Sequence, residues 1–363
     1  MTHSLADADG ALDALDGVRL DKDLVRALRR AAVPTPITFH IPSFKTFASG
    51  EIAPVAARWP AVSITGGECA LACDHCKAKI LQPMIPARTP EALWEIVNRE
   101  IARGASGMLL TGGSNRRNEV DYSGHLPILR RIKDTFPDFR IAVHTALTDL
   151  PRARALREAG VDVAMMDVIG AQDTLTQVYH LKRPVADFED SLASLLESGL
   201  RVVPHIVLGL HYGRFLGEWR ALEMVARHRP HGLVLVVAMP FYAPPTRPFA
   251  TPDAQEVGRF FLEARAALPD IPLALGCARP PGRVRLAIDA YGVLAGLDAI
   301  AHPAEGVVEL ALRLGRPVRI GAGCCSLPPA LAGSHTLPVD EATWALQRRP
   351  ASSRFPLPVV CHG

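Results

Sequence analysis

The sequence lacks a long apolar run. The longest stretches, such as Leu233–Met239, fall far short of the ~20 residues a membrane helix needs. Net charge is also scarce: 40 Lys+Arg against 37 Asp+Glu leave a formal +3. No basic field covers the chain, so neither nucleic acid nor a membrane is an expected partner. Residues Met1–Asp7 show no basic segment followed by an apolar one, so no secretory signal is expected and a cytoplasmic setting is. There is no low-complexity segment and no repeat beyond a strand–helix unit. Cysteine is too sparse for a disulfide scaffold, seven in 363 residues and an odd number. Among reduced thiols, clustered cysteines bind metal or do chemistry. The few present are unevenly placed, with Cys69, Cys73 and Cys76 close together.

From about residue 60 to 315, short β-branched runs alternate with amphipathic stretches rich in Ala, Leu, Arg and Glu. Eight candidate strands fall at 61–65, 107–112, 140–145, 161–167, 201–209, 232–240, 272–278 and 298–303. Thr89-Pro90-Glu91 and Thr251-Pro252-Asp253 read as helix starts with a capping Thr, and Gly160 and Gly199 as helix stops. Strand–helix alternation at this length predicts an α/β fold, a (β/α)8 TIM-type barrel, with a doubly wound open sheet as the alternative. The expected division is an N-terminal helical extension over 1–45, with one helix at 22–32, then a barrel over 46–325. An irregular C-terminal tail packing on the barrel follows over 326–363. A barrel places its chemistry at the C-terminal strand ends. Thr65, Thr111-Gly112-Gly113, His144, Asp167, His205, Cys277-Ala278-Arg279 and His302 stand there.

Directly after the first of these strands, Cys69-Ala70-Leu71-Ala72-Cys73-Asp74-His75-Cys76 reads C-x3-C-x2-C. Three thiolates on one loop can hold three irons of a 4Fe–4S cube and leave the fourth open to a substrate. The competing reading is a structural zinc site, which normally closes its shell with four ligands. A zinc-stabilised, non-catalytic binding protein would follow from that reading. With its place after the first strand, the loop resembles the signature of the radical S-adenosylmethionine (SAM) superfamily. That resemblance implies a 4Fe–4S cluster on Cys69, Cys73 and Cys76, with SAM on the open iron and His75 contacting adenine through its backbone. It further implies reductive cleavage to a 5′-deoxyadenosyl radical that abstracts hydrogen, with ferredoxin or flavodoxin as electron donor. Leu110-Thr111-Gly112-Gly113-Ser114 is similar to the family's Gly-Gly-Glu element, so Thr111, Gly112 and Gly113 are implied to bind the methionine amino group; Ser114 replaces the Glu. Asp167 is implied at the ribose, with helix capping as its alternative, and Ile206 at the adenine, with ordinary strand packing as its alternative.

Cys277, Cys324, Cys325 and Cys361 remain. The adjacent pair beside Gly321-Ala322-Gly323, with Cys277 at a strand end, predicts an auxiliary Fe–S cluster; Cys361 is a fourth candidate ligand or an inert thiol. His144 and His205 are candidates for the substrate pocket or for buried residues satisfied by backbone. Arg279 either neutralises charge there or pins a loop. The blocks Met165–Gly170, Val203–Leu210 and Leu275–Gly282 resemble the biotin-synthase-like group, and within it the two-component lipoyl synthases. That likeness implies insertion of sulfur, drawn from the auxiliary cluster, into a protein-bound octanoyl chain. It also implies an octanoylated carrier protein and a second radical SAM subunit as partners. The alternative within the group is a maturase type that builds a hydrogenase cofactor without donating sulfur.

Overall fold

The structure, a computed structural model, describes residues 15, 18–31, 35–42, 49–52, 58–239, 243–327 and 336–339. Its strands are β1 (Ile37–His40), β2 (Ala61–Ser63), β3 (Ile85–Pro86), β4 (Gly107–Thr111), β5 (Arg140–His144), β6 (Val163–Met165) and β7 (Arg201–Val202). They continue as β8 (His205–Leu208), β9 (Leu233–Val237), β10 (Leu273–Leu275), β11 (Ala299–Ala301), β12 (Val318–Gly321) and β13 (Thr336–Val339). All eight expected strand regions are therefore present, the fifth of them divided into β7 and β8. One sheet runs β3-β2-β4-β5-β6-β7 and the other β13-β12-β1-β11-β10-β9-β8. Every ladder is parallel except β12 with β13.

The division of the fifth strand has a local cause. Pro204 has no N–H to give a ladder, so the strand breaks there. Backbone bonding resumes at once: His205 N–H donates to Met166 O at 2.7 Å and Val168 N–H to His205 O at 2.8 Å. The Asp167–His205 bridge thus joins the two sheets into one curved wall. This is the parallel α/β arrangement of a TIM-type fold; among the described residues no ladder joins β13 to β3.

Four strands, β1, β3, β12 and β13, lie outside the expected set. The segment 1–45 contains the helix Lys22–Ala31, but also β1, which pairs with both β11 and β12. The tail expected to be irregular contributes β13, antiparallel to β12. Residues 340–363, with Cys361, lie outside the described residues. One helix start also moves. Asp253, not Thr251, accepts the first N–H groups of Ala254–Ala267, whereas Thr89 caps Pro90–Ala102 as expected.

Side chains alternate across the wall with the period of two that a strand dictates. Leu110, Ile141, Val143, Ala164 and Ile206 face the helices, where they join Leu93, Ile96 and Val97 in the main core. Ala142, Val163, Met165, Val203 and Val234 face inward and form a second cluster with Trp59, Ala274, Ala299 and Ala301. After β12 the chain turns back, placing Cys325 and Leu327 in that inner cluster. Among the described residues no helix is long and apolar enough to cross a membrane.

Candidate active site

The loop after β2 is shaped by short polar side chains. Ser63 Oγ donates to Gly66 O at 2.7 Å, and Gly66 turns the chain at φ 62°. Thr65 Oγ1 donates to Glu68 O at 2.9 Å and accepts from Gly113 N–H at 2.7 Å. The Ser114 carbonyl accepts Ala70 N–H at 2.9 Å and lies 3.7 Å from Cys69 Sγ. Ser114 therefore anchors the cysteine loop through its backbone. Ala72, Lys77 and Ala78 sit at positive φ on either side of Cys73 and Cys76. Each such residue costs about 1 kcal/mol, strain that the surrounding packing sustains.

Between the cysteines, Asp74 is buried and gathers charge. It accepts from Lys77 Nζ at 2.6 Å and from Tyr212 Oη at 3.0 Å, lies 3.0 Å from His180 Nε2, and has Arg247 at 3.6 Å. Burial works to raise its pKa, but these partners outweigh it and hold it at about 2. Cys73 and Cys76 interact directly. The hydrogen bond from Cys73 lowers the Cys76 thiol to about 4, while that same bond, together with burial, keeps Cys73 protonated. A loop that already stabilises one thiolate suits metal binding, since the thiolate is the ligand.

These sulfurs line a cavity of about 320 Å³ inside the wall. Its lining includes Cys69, Cys73, His75, Cys76, Thr111, Gly112 and Gly113 on one side and Cys277, Cys324 and Cys325 on another. None of the six described cysteines is in a disulfide. The second group repeats the chemistry of the first. The hydrogen bond with Cys325 lowers Cys324 to about 7, and Cys325 is raised by that bond, by burial and by the nearby Cys277. Two orphaned polar atoms also face the cavity: His75 Nδ1 and the Tyr179 hydroxyl are buried without a hydrogen bond of ordinary geometry. Three convergent sulfurs, a glycine edge and unspent polar atoms together fit a 4Fe–4S cluster with SAM beside it. Cys277, Cys324 and Cys325 offer a second donor set of the same kind.

His144, Asp167 and His205 stand together on the same cavity wall. Asp167 Oδ1 lies 3.5 Å from His144 Nε2 and 3.9 Å from His205 Nδ1. The imidazoles stack, with centroids 5.5 Å apart and planes 10° apart. Burial acts to raise Asp167, but His144, His205 and His75 more than offset it and hold it at about 2. Burial and the neighbouring His144 lower His205 to about 4. The far nitrogen of His205 lies 3.3 Å from Ser326 Oγ.

Two expected site residues face elsewhere. Ile206 is buried in the outer core, because the strand period turns His205 and Val207 inward and Ile206 outward. Its side chain does not reach the cavity, and Val207 takes that place. Arg279 is also buried away from the cavity. It makes a two-point ion pair with Asp289 at 2.5 and 3.0 Å and donates to the carbonyls of Gly276, Ala301 and His302. Of its two expected roles the structure supports loop pinning, which holds the segment carrying Cys277. Sequence reasoning missed Asp74, Tyr179 and Ser326. Asp74 and Ser326 had a signal, since each adjoins a cysteine group.

Residues 63–215 match the family model of the Radical SAM superfamily. The match covers less than half of the chain and is a resemblance to the radical SAM domain over that segment. Enzymes with this domain use a 4Fe–4S cluster and SAM. The matched segment spans the cysteine loop, the Gly112-Gly113 edge and the His144–Asp167–His205 group, while Cys277, Cys324 and Cys325 lie beyond it. No curated protein matches the sequence. Among solved structures, the FeFe-hydrogenase maturase HydG from Carboxydothermus hydrogenoformans is similar at 15% identity. It has a TM-score of 0.53, over 88% of this chain and 77% of that one. A second HydG structure gives 0.53 at 15% over 82% and 68%, and methylornithine synthase (PylB) gives 0.49 at 13% over 83% and 83%. At 15% identity the likeness to the two HydG structures is one of fold.

Proposed function

We infer that this chain is a radical SAM enzyme that inserts sulfur into an unactivated C–H bond of a protein-bound octanoyl chain, the lipoyl-forming reaction. The observation that carries the reading is the second sulfur group, Cys277, Cys324 and Cys325, facing the cavity that also holds Cys69, Cys73 and Cys76. When bound, the 4Fe–4S cluster with SAM supplies the 5′-deoxyadenosyl radical and an auxiliary cluster supplies the sulfur. The chain's residues arrange the meeting. Leu81, Met84, Leu109, Met165, Val207, Val234 and Val236 give the cavity an apolar wall suited to an alkyl chain. The same wall keeps water from a radical. Arg279, locked to Asp289, fixes the Cys277 loop. The implied partners are an octanoylated carrier, an electron donor such as ferredoxin or flavodoxin, and a second radical SAM subunit.

Anaerobic reconstitution tests this reading. Two 4Fe–4S clusters correspond to about eight irons per chain. Cys277→Ala, or the Cys324→Ala/Cys325→Ala pair, is expected to bring that to about four. 5′-Deoxyadenosine formation should survive in both, and the sulfur-containing product of an octanoylated peptide should disappear from the mass spectrum. Full sulfur insertion by either variant would overturn the assignment. With a sacrificial sulfur source, turnover of the wild type should stall near one event per chain unless the auxiliary cluster is rebuilt.

A further inference from the structure

The geometry points to a third metal site in the cavity, separate from both cysteine groups: His144, Asp167 and His205 bind a single divalent transition-metal ion such as Zn2+ or Fe2+. The inference stands independently of sulfur insertion. The three donor atoms, His144 Nε2, Asp167 Oδ1 and His205 Nδ1, lie within 4.8 Å of one another. At 3.5 and 3.9 Å, the carboxylate oxygen is too far from either ring for a sound hydrogen bond. Donors about 2.1 Å from one ion are separated by roughly 3.0–3.4 Å. Closing onto a shared ion therefore draws the carboxylate about half an ångström toward His205 and turns the two stacked imidazoles so that both lone pairs meet at the ion.

Backbone ladders fix this arrangement. His144 ends β5 opposite Met165 of β6, and Asp167 bridges His205 across the junction of the two sheets. Tyr122 Oη donates to the His144 carbonyl at 2.8 Å, which steadies the strand end. On His205, Nδ1 faces Asp167 while Nε2 meets Ser326 Oγ at 3.3 Å. With the proton on Nε2 and donated to Ser326, Nδ1 is left as a lone-pair donor, the usual outer support of a metal-bound imidazole. Two imidazoles and one carboxylate suit Fe2+ or Zn2+ better than the all-oxygen sites of Mg2+ or Ca2+. All three residues line the cavity, so the remaining coordination positions open toward whatever the cavity contains.

The test uses the cluster-loaded protein and zinc as the probe, because zinc is counted separately from iron. After anaerobic equilibration with Zn2+ and dialysis, one zinc per chain is expected. Its X-ray absorption should show a first shell of nitrogen and oxygen at ~2.0–2.2 Å without sulfur at ~2.3 Å. His144→Gln/His205→Gln should lose that zinc while keeping the wild-type iron content. Ser326→Ala should keep the stoichiometry but bind about 10-fold more weakly. A sulfur-containing shell, no bound zinc in the wild type, or undiminished zinc in a folded double variant would each overturn the site. The wild-type absorption measurement decides the matter even if the variants do not fold.

Discussion

Gly113 runs so close to the cysteine loop that a Cβ built on it would lie 1.8 Å from the Glu68 carbonyl oxygen and 2.6 Å from the Cys69 Cα. The strand-end glycines and the metal loop are therefore a single packed unit, in which the absence of a side chain sets how close the two can come. Gly113→Ala should push the loop away from β4. The expected result is loss of about four irons per reconstituted chain and at least a 10-fold drop in SAM cleavage. Gly67→Ala, where a Cβ meets nothing within 4 Å, is the control and should match the wild type in both measurements.

The charge around Asp74 should govern how firmly the loop holds metal. Asp74→Asn keeps the volume but removes the charge that Lys77, His180 and Arg247 surround. Since those partners are partly exposed, the loss is discounted to about 1–2 kcal/mol. Iron release to a chelator should then be about 10-fold faster. An unchanged rate would show that the loop is held by its backbone alone.

Arg279 and Asp289 are both fully buried, so neither can lose its partner cheaply. Arg279→Ala leaves a carboxylate unpaired in the core and should destabilise the fold by about 3–5 kcal/mol, read from denaturant unfolding. A loss below about 1 kcal/mol would mean that water reaches Asp289.

Acid should weaken the fold through His40. Burial lowers its pKa to about 4, against a backbone hydrogen bond at Gly323 that raises it. The unfolded chain takes up a proton near pH 6.5, whereas the folded chain waits until about 4. Between those values the unfolded state binds more protons, so this contribution is complete above about pH 6.5 and fades as pH falls. The slope is up to about 1.4 kcal/mol per pH unit. His40→Asn should flatten the unfolding profile over that window; an identical slope in the variant would assign the acid response to other groups.

What could be read from the sequence was what is encoded locally. The cysteine loop carries its chemistry within one short segment, and the central strands carry it in β-branched runs. β1 could not be read this way: its four residues are a strand only because β11 and β12, more than 250 positions away, offer edges on both sides. β13 likewise depends on β12. His144, Asp167 and His205 were each legible as polar strand ends, but their proximity follows from register across the Pro204 break. For Ile206 the residue was legible and its direction was not, since one step along a strand exchanges inside for outside. Arg279 stood out beside Cys277, yet its role is set by Asp289 on the following helix, Arg283–Leu294.

The inward positions Ala61, Ala142, Ala274, Ala299 and Ala301 are small where barrels of this type are usually filled by branched side chains. Each forgoes roughly 1.5–3 kcal/mol that a buried Val or Leu would bring. Ala274 and Ala299 are register partners on adjacent strands, so the thin lining is continuous there. Of these, Ala61 borders the cavity of the cysteine loops, and Ala274 and Ala299 border a small void beside Cys325, so larger side chains there would take up space that the fold now leaves open.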